Sequence, residues 1–296
     1  MTTPVLNILD GHPKDLGGGF VVRRLLPAAT RRAVGPFVFF DHFGPVRVTP
    51  EAEHDVRPHP HIGLATVTYL FEGAMMHRDS LGSGQLIEPG AVNWMTAGRG
   101  IVHSERRPEA LRHQTYVNHG LQLWVALPRE HEEAEPAFMH TAAADIPEVR
   151  QDDAVVRVLV GAAFGAHSPV ATFAPTLYLD VQLRAGGRFT LPSLVPEQAV
   201  YSVQGDLLLD GQRLSSGCMA VLQPGEHLEL SAGVQAVRAV VIGGAPLDGP
   251  RHMWWNFVSS RKERIVQAAQ AWEAQRFAPV PGETAFIPLP ERRFTT

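Results

Sequence analysis

The chain has 296 residues, 45% of them hydrophobic and 19% charged, with a formal net charge of −4. That length and apolar content can bury more than one ordinary core, so two domains are the default expectation. The charge balance excludes a basic nucleic-acid binder, and a single cysteine, Cys218, excludes an intrachain disulfide or a cysteine-built zinc cage. No run reaches the roughly 18 apolar residues of a membrane span, and residues 1–10 lack the basic region and apolar run of an export signal. A reducing, cytoplasmic setting is expected.

Short strands punctuated by glycine and proline are predicted along most of the chain. Gly17-Gly18-Gly19 opens into a strand over 20–26, and Gly35-Pro36 into one over 37–43 that a Gly44-Pro45 turn should end. The triple glycine is no phosphate loop, because no helical pattern follows it. Further strands are predicted at 65–71, 85–88, 92–96 and 120–127, a spacing typical of all-β sandwiches and barrels. Residues 129–136 carry Glu130, Glu132, Glu133 and Glu135 with no apolar face, which reads as a solvated connector. A second set of strands follows at 155–160, 176–183, 199–203, 207–209, 219–222 and 236–242.

The two sets look like copies of each other. Tyr69-Leu70-Phe71-Glu72-Gly73 aligns with Tyr201-Ser202-Val203-Gln204-Gly205, and Ile87-Glu88-Pro89-Gly90 with Leu222-Gln223-Pro224-Gly225. Carried back in the first register, Pro60 falls on Pro192, His59 on Leu191 and His61 on Ser193. Near the C-terminus, Ser260 and Glu263 form a capping-box pattern, and a helix is predicted over about 260–277. Its stripe of Ile265, Ala268, Ala269 and Trp272 should pack on a barrel wall. Residues 253–257 read as a docking strand, and 279–296 as an extended, proline-rich tail.

One pattern carries chemistry. Residues i and i+2 of a strand share a face, so His59 and His61 project together, as do His103 and Glu105. A lone His-x-His pair is weak evidence in a chain with 14 histidines, but two such pairs, each beside turn chemistry, make a stronger case. On neighbouring strands of one barrel, three imidazoles and a carboxylate converge on a mononuclear metal site. Three nitrogens and one carboxylate suit iron, manganese, nickel or zinc, and leave coordination positions open for substrate and dioxygen or water.

Pro58-His59-Pro60-His61-Ile62-Gly63, residues 66–73, His77-Arg78-Asp79-Ser80, residues 94–105 from Trp94 to Glu105, and Gly120-Leu121-Gln122-Leu123-Trp124-Val125 resemble the pirin branch of the cupin superfamily. The match is dense from Gly35 to Pro128 and collinear beyond. Ile62 departs from the pattern, being more often basic in relatives, and the tail past Arg276 is longer than in compact members.

The resemblance implies an all-β bicupin: tandem double-stranded β-helix barrels with a C-terminal helix. It implies a metal-binding cupin domain over 1–133, a cupin domain without metal ligands over 134–250, and a strand, helix and tail over 251–296. His59, His61, His103 and Glu105 are the implied ligands, with Fe(2+) first and Mn(2+), Ni(2+) or Zn(2+) as alternatives. The implied activity is a quercetin 2,3-dioxygenase type of reaction, opening a flavonol ring with dioxygen, in which Glu105 also takes a proton from the substrate. Phe40, Asp41, Met95 and Gln122, on the best-matching strands, are the candidates for the substrate pocket. The alternative is a regulatory protein whose metal controls a protein partner without catalysis.

Overall fold

The computed structural model describes residues 5–294 except Gly18 and Glu226. The middle of the glycine run and the last two residues of the predicted tail therefore lie outside the described residues. The described chain is all-β, apart from three 3-10 turns and one α-helix, Lys262–Glu273.

Two small and two large sheets repeat one plan. One four-stranded sheet runs Val56–His61, Ile101–Arg106, Met75–Asp79, Gly84–Ile87, and its counterpart runs Arg188–Leu191, Leu228–Ala232, Leu207–Leu209, Gln212–Leu214. In both, the first strand in the chain pairs with the last, and the middle two form a hairpin beside it. The seven-stranded sheets share a central order too. Val92–Thr96, Leu64–Glu72, Tyr116–Ala126 and Phe37–Val48 lie side by side in one, and Cys218–Leu222, Glu197–Gln204, Val237–Gly244 and Thr176–Leu183 in the other. The internal repeat is thus a duplicated cupin, each copy a small and a large antiparallel sheet.

The topology corrects the sequence register. Tyr69 and Tyr201 fall on equivalent strands, but Ile87 ends Gly84–Ile87 whereas Leu222 ends Cys218–Leu222, the counterpart of Val92–Thr96. Ile101 pairs with His61 and His103 with His59, just as Leu228 pairs with Leu191 and Leu230 with Phe189. Leu191 therefore stands where His61 stands, and Phe189 where His59 stands, two residues from the expected register. Ser193 lies beyond that strand, where its hydroxyl accepts from the Gly225 N–H.

The chain forms two compact units. Among the described residues, one gathers those within 5–13, 23–41 and 144–246, and the other those within 14–22, 42–143 and 247–294. The first is held by a continuous aliphatic core in which Phe189, Leu191, Leu228 and Leu230 are buried beside Leu207, Val200 and Val241. At the positions equivalent to the histidines it therefore contributes only hydrocarbon.

Four expectations are revised. The strand from Phe37 runs on to Val48 through the expected Gly44-Pro45 turn. Gly44 sits at φ +77°, where a Cβ would meet the Asn118 carbonyl oxygen at 2.1 Å, so only glycine lets the strand continue there. The acidic connector is not wholly solvated: Glu132 is buried, paired with Arg251 at 2.8 Å, and accepts from the Ser260 N–H and the Ser259 and Ser260 hydroxyls. Because Glu132 claims the Ser260 side chain, no capping box forms. The helix starts at Lys262 after Arg261, without a side-chain cap. Residues 252–259 form a hairpin, His252–Trp254 with Phe257–Ser259, rather than a single strand. The helix buries Ile265, Ala268 and Trp272 against Ile62, Val102 and Phe257, as its apolar stripe predicts.

Candidate metal centre

Val56–His61 and Ile101–Arg106 are antiparallel neighbours, so His103 lies directly opposite His59. Prolines at 58 and 60 fix φ along the first strand while His59 and His61 keep one face. The register slips between His103 and Glu105, which pairs with Val56 on one side and His77 on the other. All three histidines are buried, and one nitrogen from each can be chosen so that the three lie within 4.8 Å of one another. The ring centroids of His59 and His103 are 4.4 Å apart, and those of His61 and His103 are 5.0 Å apart.

Hydrogen bonding decides which nitrogens are available. A backbone carbonyl only accepts, so an imidazole nitrogen facing one must carry the proton. His59 Nδ1 donates to the Arg57 carbonyl at 2.8 Å and His61 Nδ1 to the Asn256 carbonyl at 3.0 Å. Their Nε2 atoms are then bare lone pairs. Desolvation by burial pushes the His59 ring down to about 4, and pushes His61 and His103 well below the ordinary histidine value. All three are neutral bases at physiological pH.

His61 Nε2 faces His103 Nε2 at 3.1 Å. Two nitrogens each about 2.1 Å from one ion are separated by about 3.0 Å at right angles and about 3.4 Å in a tetrahedron. The observed spacing falls in that range. Three buried imidazoles at this spacing, with the Nε2 atoms of His59 and His61 bare, offer a donor set that fits a divalent transition metal.

The family-model comparison matches two segments: Pirin over residues 19–125 and Pirin C-terminal cupin domain over residues 178–278. The chain belongs to the pirin family. It is 46% identical to a pirin-like protein of Caulobacter vibrioides over 96% of this chain and 99% of that one. The crystal structure of a quercetin 2,3-dioxygenase from Acinetobacter baumannii superposes with a TM-score of 0.91 at 34% identity, covering 99% of this pirin and 97% of that chain. A nickel(II)-bound bacterial pirin from Escherichia coli shares the fold at a TM-score of 0.63 and 16% identity, over 81% of this chain and 99% of that one.

Within this pirin, the tight cluster comprises His59, His61 and His103. Glu105 shares their strand face but stands apart from that cluster, its carboxyl hydrogen-bonded to Thr68 and pushed up to about 7 by burial. Thr68 Oγ1 in turn donates to Gln122 Oε1 at 2.8 Å, so Gln122 is linked to Glu105 through one hydroxyl. Met95 is buried on the neighbouring strand, paired with Thr66. Phe40 and Asp41 fall in the other unit, Phe40 edge-on to Tyr201 with centroids at 4.8 Å and Asp41 in a bidentate pair with Arg24.

A third i, i+2 pair joins the face, His77 and Asp79 on Met75–Asp79. His77 lies opposite Glu105 and Asp79 opposite His103. The sequence reading used His77-Arg78-Asp79 only as a family signature, although its spacing is that of the other two pairs. Residues of the C-terminal segment also reach the centre. Gly63, at φ +68°, lets Val258 approach so closely that a Cβ would meet its carbonyl oxygen at 2.0 Å. The hairpin thereby docks where the first ligand strand ends. On the outer face of the second ligand strand, Ser104 and Arg106 bind the Glu283 carboxylate.

Proposed function

We propose that this pirin is a metal-dependent dioxygenase of the quercetin 2,3-dioxygenase type, with His59, His61, His103 and Glu105 holding one divalent ion, iron first. The observation that carries the reading is the convergence of three buried, neutral imidazoles, with the Nε2 atoms of His59 and His61 bare. The likeness to a solved quercetin 2,3-dioxygenase supports the flavonol as substrate class, and the single cysteine suits a cytoplasmic setting. A redox-capable ion held there supplies the chemistry that joins a flavonol to dioxygen.

The chain's own residues do the rest. The three histidines hold fixed lone pairs in a desolvated wall, which excludes water and strengthens each polar contact. Glu105 accepts the flavonol hydroxyl proton at its carboxylate, which the Thr68 hydroxyl orients.

Oxygen uptake and bleaching of the quercetin band, measured side by side on iron, manganese, nickel and zinc forms, test the reading. At least one form is expected to consume oxygen only when quercetin is present. His103→Ala should abolish it, and Glu105→Gln should lower turnover by at least about 100-fold, the lower range of a lost general base. Absence of flavonol-dependent uptake in every form would overturn the assignment and favour a regulatory role on a protein partner.

A further inference from the structure

His59 and His61 have their tautomers set by backbone carbonyls, whereas among the described residues no carbonyl bonds a His103 ring nitrogen. What faces its Nδ1 is His77 Nδ1, at 3.5 Å. The other nitrogen of that ring, His77 Nε2, lies 3.0 Å from Asp79 Oδ2. Asp79 is fully buried, and its second oxygen, Oδ1, accepts from the Leu81 and Ser83 backbone N–H groups at 2.9 and 3.0 Å. His77 is itself buried and stacked flat on Phe138, with centroids 4.2 Å apart and planes 10° apart, so the ring has little freedom to turn.

We propose that Asp79 and His77 are positioning residues that set the tautomer of His103. The inference rests on reading the three histidines as a metal centre and names the device that completes it. A carboxylate anchored as an acceptor makes His77 Nε2 the donor. In that tautomer His77 presents a bare Nδ1, which accepts from His103 Nδ1–H and leaves His103 Nε2 to face His61 Nε2 as a lone pair. The proton order Asp79, His77, His103 does for the third ligand what carbonyls do for the other two. Outer partners of this kind fix ring orientation and ligand basicity, and their loss typically costs 10- to 100-fold in metal affinity.

Asp79→Asn tests it most directly. The amide oxygen can keep the two backbone N–H groups, which turns the NH2 group toward His77 Nε2. That donor reverses the relay: His77 Nδ1 becomes protonated, and His103 must carry its proton on Nε2, inside the cluster. The metal-free protein, labelled with 15N-histidine, should show His77 as the Nε2–H tautomer in the parent and the Nδ1–H tautomer in Asp79→Asn. Zn(2+) affinity by chelator competition should fall about 10- to 100-fold in His77→Phe, which keeps the stack on Phe138, and further in Asp79→Asn. The double variant should match His77→Phe alone, because without the His77 imidazole no ring passes the hydrogen-bonding role of residue 79 on to His103 Nδ1.

An Nδ1–H His77 in the parent, an unchanged His77 tautomer in Asp79→Asn, or losses that simply add in the double variant would overturn the relay. The tautomer is read without metal, so a parent that binds no Zn(2+), Ni(2+) or Fe(2+) would sink the metal-centre reading separately. His77→Phe keeps the proposal falsifiable if Asp79→Asn does not fold: unchanged zinc affinity in that variant overturns it.

Discussion

His61 and Asn256, 195 residues apart, are joined by one hydrogen bond, from the His61 Nδ1–H to the Asn256 carbonyl at 3.0 Å. The acceptor is main chain, and it is aimed by a hairpin whose turn residue, Trp255, holds the left-handed region at φ +53°. A bulky residue adopts that conformation only where its surroundings enforce it. Here the Trp255 ring packs against Phe257 at 5.3 Å and Trp272 at 6.4 Å.

Metal loading should therefore protect the hairpin. If opening residues 252–259 frees the His61 ring, an ion that binds only the closed form stabilises it by about 2.7 kcal/mol at 100 times its Kd. Amide exchange at Val258, whose N–H is bonded to the Ile62 carbonyl, should slow by up to about 100-fold on saturation with Ni(2+). Equal exchange with and without metal would show that the hairpin and the centre are uncoupled.

Glu283 should make the tail acid-labile. Burial raises its carboxyl, but hydrogen bonds from Arg106 and Ser104 outweigh that and hold it below the ordinary value. A carboxyl depressed on folding contributes stability above its unfolded pKa and loses it as pH falls through the folded one. Tail docking should hold at neutral pH and weaken below about pH 4.5. Tryptophan emission is the readout, since Trp272 Nε1 donates to the Ile287 carbonyl. Glu283→Gln should remove this acid step and cost about 1–3 kcal/mol at pH 7, and an unchanged acid transition in that variant would contradict the assignment.

Removing the metal should leave the fold standing. Unlike a small zinc domain, this chain carries extended apolar cores that do not depend on an ion. His61→Ala is expected to retain its circular dichroism spectrum while losing tight metal binding. Elemental analysis of the parent should give one ion per chain, because Phe189, Leu191 and Leu230 occupy the corresponding positions of the other cupin. Two tightly bound ions, or unfolding of His61→Ala, would contradict this.

The buried pair of Glu132 and Arg251, each 3% exposed at the side chain, should be costly to break from one side. Glu132→Ala leaves the buried Arg251 with only the partly exposed Asp248 as counter-charge and strips Ser259 and Ser260 of their acceptor. A loss of about 3–5 kcal/mol is expected in urea unfolding. A loss below about 1 kcal/mol would mean that the connector is solvated after all.

Much of the centre is legible along the chain because a strand's period of two is local. It places His59 with His61 and His103 with Glu105 on one face whatever lies next to them, and glycine and proline punctuation marks the strands between. The same rule applied to His77 and Asp79 would have placed them on that face too. The repeat was visible where Tyr69 and Tyr201 align, yet its register at the ligand strands was two residues off, because pairing is set by neighbouring strands and not by short matches.

What tertiary structure alone decided is which distant groups meet. Glu132 looked solvated until Arg251 and Ser260 arrived beside it, and Ser260, once held there, could not cap the helix. The Asn256 carbonyl on His61, the Glu283 carboxylate on Arg106 and the His77 ring beside His103 arise from the same cause. Periodicity along a strand dictates the face a side chain takes. Its partner is chosen by long-range packing, because an unpaired polar group is costly once buried and so takes whichever partner the folded chain brings within reach.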